Sequence, residues 1–104
     1  MTTFHDREQA FEAKFAHDAE MQFRATARRD KLLGLWAAGL LGKSGAAAEA
    51  YALECVNADL VAAGTEDLVA KVAADLGAHA NADAVRAKLA ALLSEAKAQL
   101  LSEV

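Results

Sequence analysis

The sequence predicts an all-α protein, an up-and-down four-helix bundle preceded by an N-terminal arm, and three observations carry that prediction. Alanine is abundant, β-branched residues are few and proline is absent, so only glycines and capping residues interrupt helices. Apolar residues recur at three- and four-residue spacing in stretches joined by short connectors, and short connectors favour antiparallel neighbours. The chain of 104 residues fits one domain, and a domain of that size buries about two thirds of its unfolded surface without disulfides or metal.

The arm comes first. Thr3-Phe4-His5-Asp6 has the form of a capping box, with Thr3 as N-cap and Asp6 reaching back. Phe4, Phe11 and Phe15 then fall in one narrow stripe at 100° per residue, flanked and backed by Arg7, Glu8, Glu12 and Lys14. The stripe stops there, because its next positions are Asp18 and Gln22 and Phe23 points well away from it. Residues 1–18 therefore carry an apolar face out of phase with the core of residues 19–104. Two readings stay open: a terminal helix that docks on the bundle after a kink near Asp18, or a helical or partly disordered arm whose aromatic anchors fill a cleft on another protein.

Arg24, Arg28, Arg29 and Lys31 follow as a basic cluster. Its usual meaning is a solvated face paired with nearby acids such as Asp18 and Glu20, and its sharper meaning is an anion site. The segment Asp30 to Gly42 comes next, and from Leu32 to Leu41 it has no polar side chain on any face. A helix apolar all round needs neighbours all round, so this is the expected central rod, with Trp36 as its buried anchor. Gly34 and Gly39, each costing about 1 kcal/mol against Ala in a helix, mark expected close approaches of another helix. The run is far short of the roughly 20 apolar residues that span a bilayer, and Lys31 and Lys43 bracket it, so no membrane insertion is expected.

Lys43-Ser44-Gly45 ends the rod and opens the next helix, with Ser44 as N-cap. Ala46 to Ala63 would turn Ala52, Val56, Leu60 and Ala63 inward, and Gly64 would stop it. Thr65 is the expected N-cap of a shorter helix carrying Leu68, Val69, Val72, Ala73 and Leu76, closed by Gly77. Asn81 and Asp83 open the last helix, where Val85, Leu89, Leu92, Leu93, Ala96 and Leu100 form an inward stripe.

Composition excludes several functions. A net charge of −4 argues against nucleic-acid binding, which needs a dominant basic surface. The single Cys55 forms no internal disulfide and sits in an apolar helical setting as a small hydrophobe, while the start Met-Thr-Thr-Phe-His-Asp lacks a signal peptide's pattern. A cytoplasmic location is expected. Gly42-Lys43-Ser44 ends like a phosphate-binding P-loop, but Ala37 stands at the first glycine position and a helix precedes it where the motif needs a strand. A helix start with Lys43 beside it can still attract a phosphate. His5, His17 and His79 are dispersed and show no ligand spacing, and no Ser, Cys or carboxylate falls in a catalytic constellation. Neither an enzyme nor a metal site is expected.

Phe4, Asp6-Arg7-Glu8, Phe11 to Asp18, Ala27-Arg28-Arg29, Lys31 to Ala37 and Leu41-Gly42 resemble the zeta subunit of alphaproteobacterial F-type ATP synthase, an ATPase inhibitor. Tyr51-Ala52, Asp59, Glu66-Asp67-Leu68 and Lys71-Val72 support the likeness, which survives only as pattern after Asn81. The chain differs from the family's usual residues at His5, where an acid is more common, and at Asp30, where Asn is. The resemblance implies a four-helix bundle with an inhibitory segment over Thr2 to Asp18, which enters a catalytic interface of the synthase and blocks ATP hydrolysis. The implied partner contacts are Phe4, Arg7, Glu8, Phe11, Lys14 and Phe15, and the implied location is cytoplasmic, on the membrane-bound synthase. It also implies ADP or ATP as a regulatory ligand without turnover; no cofactor is required. The residues offered for that ligand are Arg28, Arg29 and Lys31, or Lys43 and Ser44. Two alternatives stand beside the inhibitor: an adenine-nucleotide-sensing bundle, and a dimerisation module that sets the Phe stripe against its own copy.

Overall fold

The computed structural model describes residues 18–61 and 64–103. Among them are four α-helices, α1 (Ala19–Leu40), α2 (Gly45–Val61), α3 (Thr65–Leu76) and α4 (Ala82–Ser102), with a 3-10 turn at Gly77–His79. The all-α bundle expected from the sequence is present.

Local chemistry sets the helix ends. Asp18 is extended and its Oδ1 accepts the Met21 N–H at 3.1 Å, which starts α1. At the other end Gly42 takes φ +76°, letting the Lys43 N–H reach the Ala38 carbonyl at 2.8 Å and the Gly42 N–H reach Gly39 at 3.1 Å. Those are the paired bonds of a Schellman motif, and they turn the chain sharply into α2. Asn81 caps α4 by accepting the Ala84 N–H at 2.8 Å. One expected cap shifts: Gly64, not Thr65, precedes α3, and Thr65 is its first helical residue.

Cross-helix contacts define an up-and-down order. Gly34 meets Ala52 and Arg29 meets Asp59 between α1 and α2, a pairing that runs antiparallel. Tyr51 with Asp75 and Glu54 with Lys71 do the same for α2 and α3, and Glu66 meets Arg86 between α3 and α4. Arg28 with Glu103 and Trp36 with Lys88 close the ring between α4 and α1.

The core centres on Leu33, Ala37, Ala38, Cys55, Leu68, Val72, Leu76 and Val85, with Tyr51, Leu89 and Leu92 around them. A second cluster, Met21, Ala25 and Leu100, extends the α1–α4 contact toward the start of α1. Two expectations for the rod need correction. Trp36 is only partly buried, its ring capped by the Lys88 ammonium 5.6 Å from the centroid, whereas Leu33 is fully enclosed. Trp36 lies about 200° round the helix from Gly34, so the indole packs on the α4 side of the rod and not at the close α1–α2 seam. Gly39 has open space around its missing Cβ and Leu40 is exposed, so the rod is not surrounded at its end.

The buried face of α2 also differs from expectation. Tyr51, Ala52 and Cys55 are buried, Val56 is half-buried and Leu60 is exposed, while Ala63 lies outside the described residues. Small Ala52 is what fits against Gly34, and that contact sets the helix phase.

Candidate interaction surface

The first half of α1 and the second half of α2 splay around a groove of about 310 Å³. Ala19, Gln22, Phe23, Thr26, Ala27 and Asp30 line it from α1, and Val56, Asp59 and Leu60 from α2. Its rim is apolar and open: Phe23 is 58 % and Leu60 is 56 % exposed. Val61, next to Leu60 at the end of α2, is 87 % exposed. Ala19, which follows the Asp18 cap at the start of α1, is among the lining residues. Large apolar side chains held out to solvent on rigid helices are a common mark of a contact surface.

Its floor is charged. Asp30 is 1 % exposed, and its Oδ1 accepts from the Arg29 Nε at 3.0 Å. The same guanidinium donates to Asp59 Oδ2 at 3.3 Å across the α1–α2 seam. Burial, then the facing Asp59 carboxyl, pushes the Asp30 carboxyl up to about 8, against the pull of Arg29.

The expected basic cluster does not act as one patch. Arg24 pairs with Glu20 at 2.7 Å within α1. Arg28 turns to α4, donating to Gln99 at 2.9 Å and to both Glu103 oxygens at 2.7 and 3.0 Å. Arg29 is buried on the α2 side, and Lys31 is exposed. Lys43 and Ser44 lie beyond the far end of α1, about 20 Å from Arg28 at the rise of a helix. The structure thus separates the two places offered for a nucleotide. Phe4, Arg7, Glu8, Phe11, Lys14 and Phe15, and the proposed capping box at Thr3, lie outside the described residues.

Sequence reading missed the acidic floor and the apolar rim. A signal for the floor was present: Asp30 lies three, four and seven residues before Leu33, Gly34 and Ala37, and Asp59 lies four and seven after Cys55 and Ala52. Each acid therefore shares the packed face of its own helix. Cys55 is buried as expected, and burial pushes its thiol up to about 11. Among the described residues no group of three or more His, Cys, Asp or Glu side chains is placed to hold a metal ion.

The family model for ATPase inhibitor subunit zeta matches residues 1–99. The chain belongs to that family. No match was found among curated proteins. A solved solution NMR structure is similar at 54 % identity, covering 81 % of this chain and 99 % of that chain, with a TM-score of 0.74. The zeta-family match spans the groove and the stretch that precedes it, so both belong to the inhibitor unit. No helix among the described residues is long and apolar enough to cross a membrane.

Proposed function

We propose that this zeta-family chain restrains the F-type ATP synthase by placing residues 1–18 at a catalytic subunit interface, while the bundle of residues 19–104 stays outside as a stopper. The observation that carries this reading is the separation of two apolar surfaces. Among the described residues the bundle encloses a core from Met21 to Leu100, and the sequence sets Phe4, Phe11 and Phe15 on a stripe out of phase with it. Phe23, Leu60 and Val61 extend the contact from the arm's root onto the bundle. The protein acts from the cytoplasmic side and turns over no substrate.

An adenine nucleotide enters this reading only as a regulatory ligand. Lys43 and Ser44 suit it better than the arginines, whose donors already serve Asp30, Asp59, Gln99 and Glu103. The test is a chain lacking residues 1–17, which keeps the Asp18 cap of α1. It should lose inhibition of ATP hydrolysis by the purified synthase while keeping the helicity and cooperative melting of the bundle. Undiminished inhibition would place the activity on the bundle instead.

A further inference from the structure

Two helices, α2 and α4, supply polar partners for α1, and the α2 arrangement stands out because its charges do not balance. Across the α1–α2 seam two carboxyl groups, Asp30 and Asp59, face a single guanidinium, Arg29. Both carboxyls and the guanidinium are largely shielded, with Arg29 and Asp59 side chains 10 % and 11 % exposed. We propose that Asp30 and Asp59 share one proton beneath the groove and form a pH-sensitive clasp between α1 and α2. Loss of that proton to solvent at alkaline pH sets two carboxylates against one cation and loosens the groove beside the N-terminal segment.

The geometry gives the proton a place. Arg29 donates to Asp30 Oδ1 at 3.0 Å and to Asp59 Oδ2 at 3.3 Å, so both carboxyls meet on one guanidinium, and in the proposed clasp the acid form of one donates to the other. Other charges cannot easily substitute. Arg28, two residues from Asp30 and about 200° round the helix, is held by Gln99 and Glu103 of α4. On α2 the remaining titratable neighbour is Cys55, whose thiol stays protonated through neutral pH. From α3, Lys71 is committed to Asp75 at 3.0 Å and lies 3.6 Å from Glu54. Among the described residues no histidine lines the groove.

The direction of the pH dependence follows from linkage. The folded chain keeps a proton on Asp30 up to about pH 8, whereas the unfolded chain releases it near 3.8. Between those values the folded state binds more protons, so stability falls as pH rises and levels off above about 8. One proton changes the unfolding constant by at most about tenfold per pH unit.

The experiment uses the full chain and its Asp30→Asn variant, which carries the hydrogen-bonding pattern of a permanently protonated group. Urea unfolding from about pH 5.5 to 9 should show the ratio of wild-type to variant unfolding constants rising severalfold per unit and then flattening. Amide exchange over Val56–Val61, compared between the two proteins at each pH, should rise more in the wild type. In the wild type alone, the carboxyl carbon signal of Asp30 should titrate far above the ordinary carboxylate range of about 4. A ratio independent of pH, equal exchange in the two proteins, or an Asp30 midpoint near 4 would each overturn the clasp. The carboxyl titration decides the matter even if the variant does not fold. None of these readouts requires the synthase, so the clasp and the inhibitory reading fail separately.

Discussion

Gly34 on α1 and Ala52 on α2 meet backbone to backbone: a Cβ added to Gly34 would lie 2.5 Å from the Ala52 Cα. No real Cβ tolerates that distance from a main-chain atom, so the two helices would have to move apart. Gly34→Ala gains about 1 kcal/mol of helix propensity but disturbs the tightest seam of the bundle. We expect a net loss of about 1–3 kcal/mol, as overpacking usually gives. Gly39→Ala is the control, since its Cβ would meet nothing within 4 Å, and it should stabilise by roughly 0.5–1 kcal/mol. Urea titration of both variants checks the pair; a Gly34→Ala protein as stable as the parent would mean that the helices are not in this contact.

The enclosed Leu33 and the edge-packed Trp36 make a second comparison. Leu33→Ala leaves a void among fully buried neighbours and should cost about 2–5 kcal/mol. Trp36→Ala removes a larger side chain from a position with solvent and Lys88 on one side, and should cost less than the 3–5 kcal/mol of a fully buried Trp. Denaturant titration of the two variants settles their order. Trp36→Ala as the more damaging change would restore the indole to the centre of the core.

Those two cases also show what was legible in the sequence and what was not. Glycine punctuation at Gly42, Gly64 and Gly77, with the Asn81 cap, marked the helix limits because such signals are local. The α4 stripe was legible too: Val85, Leu89, Leu92, Ala96 and Leu100 are buried, and Leu93, placed inward with them, is half-buried. Helix phase was lost where the pattern has no contrast. Leu32 to Leu41 is apolar on every face, so periodicity cannot choose between Leu33 and Trp36 as anchor. On α2, Ala52 and Cys55 are buried as expected, but Leu60, assigned inward with Ala52, is exposed, and Tyr51 is buried in the core. The Arg29–Asp59 contact joins residues 30 apart, and no local rule finds it.

Cys55 gives a chemical check on the core. It is fully buried, and burial raises its thiol to about 11, so at pH 8 it has little thiolate and no access to reagent. A disulfide-exchange reagent should leave the native protein unmodified for as long as the bundle stays closed and react stoichiometrically in urea. Rapid modification of the native chain would show that α2 opens far more easily than its packing implies.

The polar seam between α3 and α4 should matter little. Arg86 donates to both Glu66 oxygens, from Nε at 3.1 and 3.2 Å and Nη2 at 2.8 Å, and to Asp83, but all three side chains are exposed to solvent. An exposed pair is screened by solvent and contributes little to stability. Arg86→Ala is therefore expected to leave the melting temperature nearly unchanged, and any small effect should vanish in about 1 M salt. A loss of several kcal/mol by thermal melting would show that the pair holds α3 in place.

Inhibition itself can be divided between the arm and the rim of the groove. Phe11 and Phe15 lie in the sequence stripe that is out of phase with the core of residues 19–104, whereas Phe23 sits on α1 with more than half of its surface exposed. Aromatic anchors buried at an interface commonly carry about 2 kcal/mol or more each, so the Phe11→Ala, Phe15→Ala double variant should weaken inhibition of ATP hydrolysis at least tenfold. Phe23→Ala alone, at the edge of the same contact, should weaken it less, by up to about tenfold. Neither change should lower the melting temperature much, because Phe23 is exposed and the other two are assigned to the partner. Titrating each variant into the purified synthase checks the order. A double variant that inhibits normally while Phe23→Ala fails would move the binding surface from the arm to the groove. A double variant that melts early would return the arm to the bundle as a docked terminal helix.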